Sequence, residues 1–291
     1  MIKKSEVNIM AIIPKIYNDA VVAIGCRESG ELKWLATGFV VARKNENGGY
    51  NTFVVTNRHV LDDDCKELIF RFNIHGKIKA KDYPIITKKD NDEKLFSVHS
   101  DPNVDVACMM LNAKILANDL GGISAFALDT MSLNYNEMID NEIIEGALVY
   151  TLGFPSGIVG LNSKMPLCRL GCISRITEKY GNEGYLLDIQ NFPGSSGSPV
   201  INKLENNFLE GTKCYNSTKL IGIISAYLPY KDYLYSQQTG ELVQITQENS
   251  GIAKVYTVDA IKATVELEVE RVKQKEKVVQ ANKVDPIVEN K

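Results

Sequence analysis

A mainly β fold, a barrel or sandwich with few helices, is what this chain predicts from three observations. Short runs rich in Val, Ile, Phe and Tyr recur along most of its 291 residues. Turns rich in glycine and asparagine separate them. A helical spacing of apolar side chains emerges only near the C-terminal end.

The first predicted strands are Ala20-Val21-Val22-Ala23-Ile24-Gly25 and Leu35-Ala36-Thr37-Gly38-Phe39-Val40-Val41-Ala42. Asn47-Gly48-Gly49 turns the chain into Tyr50-Asn51-Thr52-Phe53-Val54-Val55-Thr56. Leu68-Ile69-Phe70-Arg71-Phe72 and Asp105-Val106-Ala107-Cys108-Met109-Met110-Leu111 follow. From about residue 112 to 141 the pattern loosens into a connection containing Gly121-Gly122. A second series comprises Ala147-Leu148-Val149-Tyr150-Thr151-Leu152, Cys168-Arg169-Leu170-Gly171-Cys172-Ile173-Ser174, residues 185–190, Val200-Ile201 and residues 220–226. Residues 229–250 are polar and tyrosine-rich and are expected to form a long surface loop.

Beyond Val255-Tyr256-Thr257-Val258, Ile261, Val265, Val269 and Val272 recur with Glu and Lys between them, which predicts an amphipathic helix. Residues 265–270 also alternate with period two, as a strand would, but good helix formers flank them. The helix is expected to pack on its own barrel, with fraying from about residue 280.

Composition narrows the function. An apolar content of 44% supports a sizeable core, and a net charge of −3 with a pI near 5.8 argues against a nucleic-acid partner. The apolar stretch at residues 9–13 is too short for a secretory signal, and no window is long enough for a membrane helix. A soluble, cytoplasmic protein without a membrane partner is expected. The six cysteines, Cys26, Cys65, Cys108, Cys168, Cys172 and Cys214, are then expected to be free thiols. Cys168 and Cys172 lack the further ligands of a zinc site, so no metal and no cofactor are expected.

The chemistry gathers around Asn191-Phe192-Pro193-Gly194-Ser195-Ser196-Gly197-Ser198-Pro199-Val200, where two glycines enclose a serine in a tight turn. Of three histidines, His75 and His99 lie in polar loop segments, whereas His59 ends an apolar strand. Asp105 stands at the mouth of the next apolar run. Asp101 precedes proline and reads as a turn cap, and Asp62-Asp63-Asp64 as a solvated turn. The order His59, Asp105, Ser196 excludes a subtilisin-type arrangement, which begins with Asp. Ser198 at the fifth position breaks the Gly-x-Ser-x-Gly of α/β-hydrolases.

Thr56-Asn57-Arg58-His59-Val60, Asp105-Val106-Ala107, Gly153-Phe154-Pro155, Gly171-Cys172-Ile173-Ser174, and Asp188-Ile189-Gln190 leading into residues 193–199 occur in the order of a known family. The chain resembles the trypsin-like serine peptidases of the chymotrypsin clan, closer to the bacterial, single-domain HtrA-like type than to secreted digestive enzymes. Residues 250–259 resemble that family's closing strand, and the likeness runs from about residue 20 to 264. Two departures stand out. No cysteine immediately follows His59, so the histidine-loop disulfide of secreted relatives is expected to be missing. Ser195 stands where digestive enzymes carry the aspartate that pairs with a newly cut N-terminus.

The resemblance implies two six-stranded antiparallel β-barrels with a C-terminal amphipathic helix. The implied division is an N-terminal segment (1–15), a peptidase domain (16–257) and a helix and tail (258–291) without a PDZ domain. Within the domain, a first barrel spans about 16–116, a connection about 117–145 and a second barrel about 146–257. It also implies an endopeptidase working on protein or peptide substrates through His59, Asp105 and Ser196. The backbone N–H groups of Gly194 and Ser196 form its oxyanion hole, and Gln190, Asn191, Phe192, Ser225, Ala226 and Tyr227 wall its substrate pocket. Gln190 falls where trypsin has a carboxylate, so an uncharged P1 residue is expected. Such an enzyme is expected to be regulated, or latent until triggered by a protein partner; the alternative is an inactive scaffold that binds proteins.

Overall fold

The structure is a computed structural model describing residues 13–62, 65, 67–160, 164–178, 184–204 and 217–284. Helix α1 (Lys15–Ala20) leads into β1 (Val21–Glu28), β2 (Glu31–Lys44), β3 (Tyr50–Thr56) and a single helical turn, α2 (Arg58–Leu61). Strands β4 (Leu68–Asn73), β5 (Ala80–Ile85), β6 (Ser97–Val98) and β7 (Ala107–Met110) complete the first unit. The connection carries α3 (Ala113–Leu120), β8 (Phe126–Ala127) and α4 (Tyr135–Asp140). The second unit contains β9 (Leu148–Gly153), β10 (Leu167–Arg175), β11 (Gly184–Asp188), β12 (Pro199–Asn202), β13 (Leu220–Tyr235) and β14 (Leu242–Thr257), and α5 (Val258–Val284) ends the described chain.

The second unit closes as a six-stranded barrel in the order β10-β11-β14-β13-β12-β9. The first is an eight-stranded sheet, β5-β4-β1-β2-β3-β7-β6, with β8 added parallel to β2. A closed six-stranded antiparallel barrel, a second sheet and a C-terminal helix together make the chymotrypsin-like architecture.

The uninterrupted apolar runs of β1 and β2 have a simple cause: both faces of the sheet are covered. Val22, Ile24 and Val40 point into the first unit's own core with Val54, Leu68 and Phe70. Their neighbours Val21, Ala23, Phe39 and Val41 point the other way, into a core shared with Leu152, Phe154, Ile223 and Tyr256 of the second unit. Strand side chains alternate, so burial on both sides demands apolar residues at every position. The barrel's own core holds Val149, Tyr185, Leu187, Val200, Ile221 and Val255.

Two expectations need correction. Residues 229–250 are not a loop: β13 and β14 continue past the barrel as a paired ribbon, with Tyr230 opposite Glu248 and Tyr233 opposite Ile245. Tyrosine and β-branched residues suit a pleated ribbon whether or not it covers a core. Cys26 and Cys65 are not free thiols, because a disulfide joins β1 to the segment after α2, with Cα atoms 6.2 Å apart. A bridge therefore does tie down the chain following His59; the pairing of β1 with β4, which sets Cys26 opposite Leu68, brings together two cysteines 39 residues apart. Cys108, Cys168 and Cys172 are free, and Cys214 lies outside the described residues. Helix α5 extends to Val284, and residues 285–291 lie outside the described part.

Helix propensity prevails over the period-two alternation in α5. Ile261, Val265 and Val269 enter the shared core. Glu268 is fully buried yet satisfied, accepting from Ser97 Oγ (2.7 Å), the Met110 N–H (3.0 Å) and both Nε and Nη2 of Arg271 (2.7 Å each). Among the described residues, no helix is long and apolar enough to cross a membrane.

Candidate active site

Strands β3 and β7 pair antiparallel with Thr56 opposite Ala107, which brings the residues after β3 beside those before β7. Asn57, extended and fully buried, opens α2 and donates Nδ2 to the Asp105 carbonyl at 2.7 Å. The helical turn then presents His59 to the Asp105 carboxylate. The His59 N–H lies 3.1 Å from Oδ1, and Nδ1 lies 2.7 Å from Oδ2. A carboxylate only accepts, so Nδ1 carries the proton in this pair and Nε2 is the basic nitrogen. Ser225 Oγ donates a third bond, to Oδ2 at 3.0 Å.

Ser196 comes from the other unit. Its Oγ donates to the Ser225 carbonyl at 3.1 Å. Ser225 therefore touches both the acid and the hydroxyl, joining β13 to the first unit's pair. Tyr256 spans the same junction, donating Oη to the Asn103 carbonyl at 2.6 Å.

The turn around Ser196 explains its glycines. Gly194 has φ +94°, and a Cβ there would lie 2.4 Å from the Phe154 carbonyl oxygen. Gly197 has φ +85°, and a Cβ there would lie 1.9 Å from the Thr37 carbonyl oxygen. Both demands, left-handed backbone and close approach, require glycine. Within the turn the Ser195 N–H donates to Phe192 O (2.9 Å) and the Ser198 N–H to Ser195 O (3.0 Å). The N–H groups of Gly194 and Ser196 reach no acceptor among the described residues. Orphaned backbone donors are rare where water is restricted, and a pair beside a serine hydroxyl is the makings of an anion-binding site.

Of the expected pocket residues, Asn191 and Ser225 are buried, Tyr227 is half-buried, and Gln190, Phe192 and Ala226 are exposed. The Asn191 carbonyl accepts from Asn249 Nδ2 at 2.5 Å. Arg169, which sequence reasoning missed, places its guanidinium 5.2 Å from the Phe192 ring centroid. The other histidines stay away from this cluster. The His75 N–H donates to Leu120 O, and His99 Nδ1 accepts from the Asp101 N–H. Asp101 caps its turn through the Asn103 N–H, as read from its proline neighbour.

Sequence reasoning also missed Asn57, Thr37 and the link from Ser225 to Asp105. Asn57 sits inside the quoted histidine motif, and Thr37 is a lone polar residue in an apolar run; both signals were present. Among the described residues, no cluster of His, Cys, Asp and Glu could hold a metal ion.

No curated protein matches the chain. A family model described as a trypsin-like peptidase domain matches residues 36–209, more than half of the chain. With the closed barrel and the convergence of His59, Asp105 and Ser196, that match identifies the chain as a member of the trypsin-like peptidases.

Proposed function

We propose that the protein is a serine endopeptidase whose nucleophile is Ser196, with His59 as general base and Asp105 as its orienting acid. The observation that carries this reading is the convergence at one carboxylate. Asp105 binds His59 and Ser225, and Ser225 in turn binds the Ser196 hydroxyl, beside two N–H donors that meet no acceptor among the described residues.

A serine hydroxyl is too weak an acid to attack a peptide carbonyl unaided. Rotation of the Ser196 side chain from the Ser225 carbonyl towards His59 lets Nε2 take its proton as Oγ bonds to the carbonyl carbon. Asp105 then stabilises the imidazolium without taking the proton. The Gly194 and Ser196 N–H groups receive the negative oxygen of the tetrahedral intermediate, a donor of this kind contributing about 3 kcal/mol. His59 passes its proton to the leaving amine, which frees an acyl-enzyme. Water, deprotonated by His59, releases the acid and restores Ser196.

Regulation by a protein partner remains part of the proposal, and the Ser196 hydroxyl must leave the Ser225 carbonyl to react. Gln190 offers no carboxylate, and Arg169 against Phe192 adds positive charge to that wall. Both features disfavour Arg and Lys at P1, in line with the expected uncharged residue. Cleavage of a peptide library varied at P1, with Ser196→Ala as control, tests this: uncharged residues should dominate. Dominant cleavage after Arg or Lys would refute the pocket assignment. As for location, a Cys26–Cys65 bridge persists in oxidising surroundings and would open to two thiols in a reducing cytoplasm. The expected cytoplasmic address therefore stands against the bridge.

A further inference from the structure

The turn that carries Ser196 belongs to the second unit, yet a residue of the first grips its backbone. Thr37, on β2, is fully buried. Its N–H donates to the Ser196 carbonyl at 2.9 Å. Its Oγ1 donates to the Gly194 carbonyl at 2.7 Å and accepts from the Phe154 N–H at 3.0 Å. Its own carbonyl accepts from Thr56 Oγ1 at 2.7 Å. Every polar group of Thr37 is engaged, and two of these bonds end on the carbonyls of Gly194 and Ser196, the residues whose N–H groups meet no acceptor among the described residues.

A second grip comes from the turn after β9. Ser156 has φ 55° and ψ 24°, a left-handed conformation uncommon outside glycine. In that conformation its N–H donates to the Pro193 carbonyl at 2.6 Å. The C=O and N–H of a trans peptide point in opposite directions. Fixing the Pro193 carbonyl on Ser156 therefore fixes the Gly194 N–H facing the other way. Fixing the Gly194 carbonyl on Thr37 does the same for the next peptide, whose Ser195 N–H turns back to Phe192.

The geometry points to Thr37 as a positioning residue: its hydroxyl holds the Gly194–Ser195 peptide, which lies between the two peptides that carry the Gly194 and Ser196 donors, so that both are set on either side of a fixed link before substrate arrives. This rests on the reading of Ser196 as the nucleophile. In digestive enzymes an aspartate at the position of Ser195 pairs with a cut N-terminus; here a neutral hydroxyl from the neighbouring unit holds the turn. Control of the enzyme then acts on access to the cleft or on the Ser196 side chain, not on assembly of the donor pair.

Thr37→Val keeps the shape of the side chain and removes Oγ1, whereas Thr37→Ser keeps Oγ1. Each variant and wild type would be assayed for kcat and KM on a fluorogenic peptide and for labelling rate by a fluorophosphonate, with melting temperature measured alongside. Thr37→Val should lower kcat and labelling rate roughly tenfold or more, as loss of transition-state stabilisation does, with KM within about threefold. Thr37→Ser should restore both rates to within about threefold of wild type. A Thr37→Val enzyme as fast as wild type overturns the proposal. So does a loss that Thr37→Ser shares, or one that follows only the unfolded fraction given by the melting curve. A wild type that neither labels nor cleaves overturns the nucleophile assignment itself, an outcome distinct from those.

Discussion

Asp105 accepts from His59 twice and from Ser225 once, and each bond removes a freedom that the imidazole would otherwise have. The His59 N–H places the carboxylate, Nδ1 sets the tautomer, and Ser225 fixes the carboxylate's rotation. A second titratable residue matters to the fold rather than the cleft. Lys164 is fully buried and caps α1, donating Nζ to the carbonyls of Asn18 (3.2 Å) and Asp19 (2.9 Å). Burial pushes its ammonium down from 10.5 to about 7, against the opposing pull of Asp19 and with a smaller push from Lys15. Between those values the unfolded chain holds a proton that the folded chain has released, so the folded state gains as pH rises. Urea unfolding at about pH 7 and about pH 9.5 should show wild type gaining more stability with pH than Lys164→Met. Equal gains would contradict the burial account.

At the scale of elements, legibility followed burial. Strands β1 and β2 were readable because two cores cover them and force a continuous apolar run. The β13–β14 ribbon was not, because its outer half covers no core and its tyrosines and polar residues look like a loop. The Cys26–Cys65 bridge depends on the pairing of β1 with β4, which no spacing of cysteines discloses. His59, Asp105 and Ser196 were legible as residues at the ends of apolar runs or within a glycine turn. The bonds of Thr37 and Ser225 were not, since they join elements distant in sequence. Helix α5 shows both sides: its apolar spacing was plain, but Glu268 looked like another surface carboxylate. Buried and bonded to Ser97, Met110 and Arg271, it pins the helix behind β7. Glu268→Ala should cost about 2 kcal/mol or more, since it leaves Ser97, the Met110 N–H and a half-buried guanidinium without their buried acceptor. Chemical denaturation checks this, and a loss below about 1 kcal/mol, typical of an exposed pair, would refute it.

Over the whole molecule, neither unit holds the site alone. His59 and Asp105 come from the first sheet, and Ser196 and Ser225 from the closed barrel. The shared core, the Tyr256–Asn103 bond and α5, which packs on β6 and β7 as well as β13 and β14, keep the two in register. Membership of the trypsin-like peptidases and this convergence lead to one central claim, that Ser196 is an activated nucleophile. A fluorophosphonate probe applied to wild type, Ser196→Ala and His59→Ala, followed by mass analysis of the labelled peptide, tests it directly. The expected result is one adduct on Ser196 in wild type, none in Ser196→Ala, and labelling slowed by at least about a thousandfold in His59→Ala. A folded wild type that stays unlabelled, or labelling that survives Ser196→Ala, would contradict it.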